Sequence, residues 1–471
     1  MIAPMVVILL FASILTAAPS DWSRFRGPNG SGLSDTTGLP VQFSPTENVV
    51  WKTDLPEGFS SPVISGERIF LTGFRNDALL TFAVHRASGK VLWERQAPRL
   101  RKEKLDPRNH PAAASAAADG ERLFVFFGDY GLLAYGVDGR ELWRRPLGPF
   151  NNIYGMGASP IVVDDLVILA CDQSTGSFIA AFDKKSGRER WRTPRPEARS
   201  GHSTPIVYTP ASGPKQIILP GSFLLNAYAA DTGKRLWWVG GLSFELKSVP
   251  IIEGDTLYIN GFGSGENEPG RRVAVPASAD VFPSSDKNRD GRLAIAELPT
   301  KHAADAMPFT DLDGDKAISV EEWDYYKAAM DSENGMLAVR LGGSGDMTAT
   351  SVRWAYRRAV PQLPSPLVYK GVLYMVNDGG IVTTLKPDTG ELIKQGRLKG
   401  AIDRYYASPV AGDGKIYMAS ERGKVAVLEP GGDLEPLVVN DLQDDIYATP
   451  ALLDGRIYLR TRRTLYCFGS M

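Results

Sequence analysis

Short apolar, strand-like runs punctuated by Gly, Pro and charged turns recur along most of the chain. The runs recur as a unit. Residues 181–191 read AFDKKSGRERW, a short apolar strand, a charged Ser-Gly turn and a second strand ending in Trp191. The unit returns as AVHRASGKVLW up to Trp93, AYGVDGRELW up to Trp143 and AYAADTGKRLW up to Trp237. A self-similar period of roughly 40–50 residues marks a propeller or solenoid.

Two markers count the repeats. The closing Trp falls at Trp51, Trp93, Trp143, Trp191 and Trp237, spaced 42, 50, 48 and 46 residues apart. A strand-opening Pro, mostly behind Ser or Thr, falls at Pro62, Pro160, Pro205, Pro250, Pro366, Pro409 and Pro450. Pro is tolerated at the first residue of a strand because no ladder donor is lost there. Ser115-Ala116 supplies the start that is missing between Pro62 and Pro160, which makes eight. Each repeat reads as four strands, and four-stranded sheets repeated radially are propeller blades. The expected fold is all-β: an eight-bladed β-propeller of four-stranded antiparallel blades, with a small helical insertion in blade five, where 116 residues separate Pro250 from Pro366. The last repeat stops after its third strand, so Val49 to Thr53 is predicted to complete it, pairing the two ends of the chain and removing an exposed edge. The domain reading is a leader over 1–20, an extension over 21–46, propeller over 47–261, insertion over 262–334 and propeller over 335–471.

Composition narrows the function classes. Forty-eight Gly and 33 Pro suit short strands joined by tight turns, and a net charge of -1 gives no global field for nucleic acid or an anionic membrane. A local basic run (Arg99, Arg101, Lys102, Lys104, Arg108) also contains Glu103 and Asp106 and reads as a solvated loop. Met5 to Ala18 is apolar but short for a bilayer and is followed by small residues, the pattern of a secretory signal peptide. It lacks a Lys or Arg before it, and the alternative is an uncleaved anchor. The expected location is periplasmic or secreted, as a monomer with no transmembrane span after cleavage. Cys171 and Cys467 sit in strand-like segments of non-adjacent repeats and read as buried free thiols rather than a disulfide.

The insertion carries the most specific chemistry. Residues 286–297, DKNRDGRLAIAE, place oxygen ligands at loop positions 1, 3 and 5 (Asp286, Asn288, Asp290), Gly291 at 6, the Arg292 carbonyl at 7 and Glu297 at 12. That is the EF-hand pattern, in which hard Ca²⁺ takes six to eight oxygens and the last Glu binds bidentately. A second loop, 311–322, supplies Asp311, Asp313, Asp315, the Ala317 carbonyl and Glu322, but Lys316 stands where Gly is expected at position 6. A left-handed residue with a Cβ costs roughly 1–2 kcal/mol, so the second loop is expected to bind more weakly. Leu293 and Ile318 occupy position 8, and Trp323, Tyr326 and Met330 share one face of a predicted exit helix.

The Trp-closed repeats with Thr-Gly or Ser-Gly turns resemble the pyrroloquinoline-quinone-like (quinoprotein-like) propeller family. It includes quinone-dependent alcohol and glucose dehydrogenases, and also non-enzymatic propellers such as the scaffold subunit of outer-membrane β-barrel assembly. The alcohol dehydrogenases of that family hold the quinone against a vicinal disulfide. No two Cys are adjacent here, and no motif carries over the metal ligands or the catalytic Asp, whereas the glucose-dehydrogenase relatives lack the disulfide too. Topology puts the loops before each Pro on the face of the insertion, where the channel opens. Tyr154, Asp172, His202, Lys247, Asp403 and Arg404 are the candidate ligand-binding residues there, for an anionic or sugar-like ligand. The leading expectation is an exported, calcium-binding, non-catalytic scaffold for a small ligand or protein. The alternatives are a pyrroloquinoline-quinone-dependent oxidoreductase and an outer-membrane assembly scaffold.

Overall fold

The structure, a computed structural model, describes residues 21–470; the leader expected over 1–20 lies outside the described residues. Eight antiparallel sheets form an eight-bladed β-propeller. The first strands of successive blades touch one another, so they line the channel and each blade runs outwards in chain order. Blades 1 to 4 span residues 63–97, 117–146, 161–194 and 206–240, and blades 5 to 7 span 251–356, 367–397 and 410–441. Blade 8 is built from both ends of the chain. Ala451–Leu453, Arg456–Arg460 and Thr464–Gly469 are joined by Val49–Asp54, with Trp51 opposite Cys467 and Thr53 opposite Leu465. This is the closure expected from the sequence. Cys171 and Cys467 are buried and unpaired.

Each repeat Trp fastens one blade to the next. Trp51, Trp93, Trp143 and Trp191 donate from Nε1 to the carbonyls of Arg86, Val137, Lys184 and Ala230, at 2.9–3.0 Å, in the turn of the following blade. Trp354 does the same to Pro387 at 2.8 Å. The indole packs on the turn glycine so closely that a Cβ on Gly187 would lie 2.6 Å from Trp143. Trp237 departs from the rule because blade 5 has a longer excursion instead of a Gly turn. It is fully buried and donates to Gln216 of its own blade at 2.8 Å.

The Ser and Thr residues in front of the strand-opening Pro form a ring around the channel. Ser115 Oγ accepts from Ser61 N, Ser159 from Ser115 N and Thr204 from Ser159 N, at 2.9–3.0 Å. Ser365 accepts from Val249 N, Ser408 from Ser365 N, Thr449 from Ser408 N and Ser61 from Thr449 N, again at 2.9–3.0 Å. The junction of blades 4 and 5 is different. There Ser203 Oγ donates to the Ser248 carbonyl at 2.6 Å, and His202 N donates to the Leu246 carbonyl at 2.9 Å. Each bond spans two blades, so the ring satisfies buried N–H groups that the blades cannot satisfy internally.

Residues 21–46 cross the face of the propeller that carries the Gly turns. Trp22 bridges to Ile64 of blade 1, Asn29 exchanges hydrogen bonds with Val207 of blade 4, and Leu33 bridges to Ala411 of blade 7. Arg24 and Arg26 point into the channel and bond the carbonyls that follow the ring, Pro205 for Arg24, and Pro366 (2.8 Å) and Pro409 (3.4 Å) for Arg26. The extension is therefore a plug. The insertion leaves blade 5 after Thr256–Gly261 and returns at Gly335–Arg340, the strands of one pair. It holds helices Ser278–Ser285, Lys301–Thr310 and Val320–Asp331, and a ribbon that sets Leu293 opposite Ile318. Val281, Met307, Trp323, Tyr326 and Met330 form its core.

Candidate functional site

The channel is closed below by Phe25 of the plug and opens on the insertion side as a cavity of about 220 Å³. Loops before six of the inner strands supply Tyr154, His202, Lys247, Gln362, Tyr406 and Tyr447 to its wall, and four ring hydroxyls (Ser61, Ser115, Ser159, Thr204) line it lower down. Phe59 and Tyr447 stack with centroids 4.0 Å apart, and Tyr406 lies 5.2 Å from Tyr447, giving one aromatic side.

A long connection between blades 1 and 2, residues 98–116, straps across the mouth. It brings Asp106, Arg108 and Asn109 to the cavity. The strap is bolted to Tyr154, whose carbonyl accepts from Asp106 N at 3.2 Å and Asn109 Nδ2 at 2.8 Å. The basic run in this segment is solvated at Lys102, Lys104 and Arg108, as expected from its charge, but anchored at Arg99 and Arg101. Arg99 pairs with the buried Asp129 at 2.7 Å, Arg101 reaches the carbonyl of Gly128 at 2.7 Å, and Arg108 grips Asp106 with two bonds of 2.7 and 2.8 Å. Local sequence gives no sign of this because the partners lie up to about 45 residues away.

The charged side chains of the wall are committed to one another. Lys247 Nζ lies 2.5 Å from Glu245, with both side chains under 9 % exposed, and 5.3 Å from the Tyr154 ring. Tyr154 Oη donates to the other Glu245 oxygen at 2.7 Å. Burial first, and the Glu245 carboxylate second, push the Tyr154 phenol far above its usual range. The Arg108 bonds hold Asp106 down at about 2. His202 is pushed down to about 3 by burial and by Lys247, so its imidazole is neutral at physiological pH; its Nε2 is buried without a partner. A neutral, orphaned imidazole can accept or donate one hydrogen bond to a ligand.

Of the six residues singled out from sequence, the structure brings Tyr154, His202 and Lys247 together. Asp172 is elsewhere, fully engaged by Arg195 through bonds of 2.8 and 3.0 Å. Asp403 accepts from Arg404 N and Arg422 N, and Arg404 is exposed; both lie on the rim beyond the cavity wall. Phe59, Phe25, Asp106, Arg108 and Asn109 were not legible as wall residues. A second cavity, about 670 Å³, separates the insertion from the rim and is walled by Phe244, Phe309, Tyr325 and Met330. It shares Tyr154 with the first. Asn151 Nδ2 of the rim donates to the Leu312 carbonyl of the second insertion loop at 2.7 Å.

The two insertion loops fold alike. Asp286 accepts from Asp290 N and Gly291 N, and Asp311 accepts from Gly314, Asp315 and Lys316 N. At position 12, Glu297 accepts from Lys287 N and Ala294 N, and Glu322 from Leu312, Asp313 and Ser319 N. Asp311, Asp313 and Asp315 bring carboxylate oxygens within 4.8 Å of one another. Asn288 donates to Asp290 at 2.8 Å, and the Arg292 side chain crosses the ribbon to pair with Asp315. Lys316 adopts φ 71°, the left-handed conformation expected of position 6, but Arg289 at position 4 of the first loop adopts φ 61° where the second has Gly314. Each loop therefore carries one strained residue, and the ranking drawn from Lys316 alone loses its basis.

Among solved structures, BamB from Moraxella catarrhalis superposes with a TM-score of 0.54 at 12% identity, covering 90% of this chain and 99% of that one. The computationally designed Ika8 protein gives 0.53 at 8% identity, covering 93% and 99%. The quinohemoprotein alcohol dehydrogenase ADHIIG from Pseudomonas putida HK5 gives 0.44 at 12% identity, covering 96% and 80%. The first two likenesses concern the fold alone. No curated protein matches the sequence. The profile described as outer membrane protein assembly factor BamB matches residues 35–180, 83–239 and 318–469, most of the propeller, and the chain belongs to that PQQ-like repeat family.

Proposed function

We propose that this chain is an exported, calcium-stabilised propeller that holds a small ligand in its channel mouth without transforming it. The observation that carries the reading is the wall itself. It is a closed-bottomed cavity with an aromatic side and two preformed ion pairs, and its one unpartnered imidazole, His202, is drawn down to about 3, which makes it a hydrogen-bonding group for a ligand and a weak base near neutral pH. The insertion loops are proposed as Ca²⁺ sites, through Asp286, Asn288, Asp290, Glu297 and the Arg292 carbonyl, and through Asp311, Asp313, Asp315, Glu322 and the Ala317 carbonyl. No helix among the described residues is long and apolar enough to cross a membrane.

A quinone centre of the dehydrogenase kind sets a metal ion beside the quinone and needs several free oxygen ligands for it. Asp106, the one carboxylate in the lining among the described residues, is already engaged by Arg108, and Glu245 behind the wall is engaged by Lys247 and Tyr154. The wall does not fit that pair of groups, and no oxidation step is derived through them. An assembly-scaffold role is the second reading, favoured by the family to which the chain belongs. The test is to incubate the purified protein with pyrroloquinoline quinone and Ca²⁺, remove free quinone by gel filtration, and assay dye reduction with alcohols and sugars. The expected result is no retained quinone absorbance and no dye reduction; retention with turnover would overturn the non-catalytic reading.

A further inference from the structure

Behind the floor and wall of the channel lies positive charge that no carboxylate among the described residues neutralises. Arg24 and Arg26 are buried in the plug, and Arg460 is buried behind the wall. Arg24 bonds only the Pro205 carbonyl, and Arg26 only the carbonyls of Ser31, Pro366 and Pro409. Arg460 reaches the Ser60 hydroxyl and the carbonyls of Ser60, Thr72 and Pro56. Among the described residues none of the three forms an ion pair, in contrast to Arg195, buried to the same degree but fixed on Asp172. Nε of Arg24, Nε and Nη1 of Arg26 and Nε of Arg460 have no partner at all. A buried charge without a counter-charge is strongly disfavoured, and burial alone draws all three guanidinium groups down to about 9.

These three arginines do not line the cavity but sit behind residues that do. Phe25, between Arg24 and Arg26 in the chain, is the cavity floor; Thr204, next to Pro205, and Phe59 and Ser61, flanking Ser60, are in its wall. The same floor offers hydrogen-bond donors. The hydroxyls of Ser61, Ser115, Ser159 and Thr204 each accept from a neighbouring blade, and none donates to a protein acceptor, so four O–H groups are free to donate into the cavity. The carboxylates nearby cancel Arg108 and Lys247 and leave the three arginines uncompensated. A cavity of about 220 Å³ exceeds the ~30 Å³ share of one water several-fold, so it has room for a polyatomic group.

We propose that the ligand of this site is a small molecule with an oxyanion head, a carboxylate or a sulfate- or phosphate-type group, seated on the ring hydroxyls above Arg24 and Arg26 with its carbon body against Phe59 and Tyr447. This rests on reading the channel mouth as a ligand site and selects the anionic class over the neutral sugar class. The shared chemistry of carboxylate and inorganic oxyanion is separated by using succinate and sulfate as probes, with glucose and chloride at matched ionic strength as comparators, in thermal-shift and calorimetric titrations of the whole protein. Succinate or sulfate is expected to raise Tm beyond chloride and to bind with one-to-one stoichiometry. Arg24→Met is expected to weaken that binding at least tenfold, and Thr204→Val, nearly isosteric and outside the plug, several-fold; the second variant decides the matter if the first does not fold. Binding unchanged in Thr204→Val, or no response to either anion, overturns the assignment. Glucose binding in place of the anions would overturn the class while leaving the ligand site intact. Native mass spectrometry separates the two failures: a co-purifying small molecule lost in Tyr447→Ala supports the site whatever its charge, and a wild-type protein carrying none under any probe removes both.

Discussion

Replacing Gly187 with Ala tests how the blades are held together. Gly187 sits in the blade 3 turn at φ +68°, and a Cβ there would lie 2.6 Å from Cε3 and 2.7 Å from Cδ2 of Trp143. Three costs act together. A side chain in the left-handed region costs roughly 1–2 kcal/mol. Forcing the indole aside in a packed interface costs about 1–3 kcal/mol. Displacing it loses the Trp143 hydrogen bond to the Lys184 carbonyl, worth about 1 kcal/mol. The expected destabilisation is about 4 kcal/mol. Gly254 provides the comparison, because it is also left-handed, at φ +59°, but meets nothing within 4 Å. Gly254→Ala carries only the backbone cost, about 1–2 kcal/mol. Urea unfolding followed by Trp fluorescence reads both as shifts in midpoint at constant slope. Equal shifts for the two variants would refute the fastener role and reduce the effect to backbone strain.

Other outcomes follow from the same geometry. His202 titrates at about 3 in the folded protein against 6.5 in the unfolded chain, so the unfolded state takes the proton first as pH falls. Its contribution is fully present above about pH 6.5 and is lost progressively towards pH 3, by about 2 kcal/mol at pH 5. His202→Gln should flatten the fall in stability between pH 7 and 5, and a parallel profile would show that His202 is not buried neutral. Ca²⁺ should raise Tm, with Glu297→Gln and Glu322→Gln each removing a similar share, because each loop carries one strained residue. Arg289→Gly and Lys316→Gly should both strengthen Ca²⁺ binding in calorimetry, and a gain from only one would restore a ranking of the loops. Thr449→Val removes the acceptor of the buried Ser408 N–H and should cost about 1–3 kcal/mol in thermal unfolding.

The blades were legible because their signals are short-range. A Trp in the strand that follows a Gly turn and a Pro at a strand start are written within one repeat, and the closure of blade 8 followed from counting strands. Trp354 escaped the spacing because the insertion stands between it and Trp237, although its indole does the same work. The site was legible in part for the same reason. Tyr154, His202 and Lys247 sit directly before strand-opening Pro residues, and so at a height fixed by the repeat. Asp172, Asp403 and Arg404 share that region of the fold, but partners set their direction: Arg195 turns Asp172 away. The strap from residue 98 to 116 and the plug at Arg24 and Arg26 lie outside the repeat altogether. Their contacts reach across as many as 383 residues, and a periodic pattern carries no information at that range.

The ring of hydroxyls acts mechanically as a hoop. Each of its bonds ties one blade to the next, and the bond from Thr449 N to Ser61 Oγ returns it to the start, so a blade cannot tilt outwards without breaking two links. The hoop has one seam, at blades 4 and 5, where the N–H to hydroxyl link gives way to Ser203 on the Ser248 carbonyl and His202 N on the Leu246 carbonyl. His202 and Lys247 occupy the two lips of that seam, and the insertion grows from blade 5 immediately beside it. That junction is chemically unlike the other seven, and it is where a ligand would touch an imidazole on one lip and an ammonium on the other.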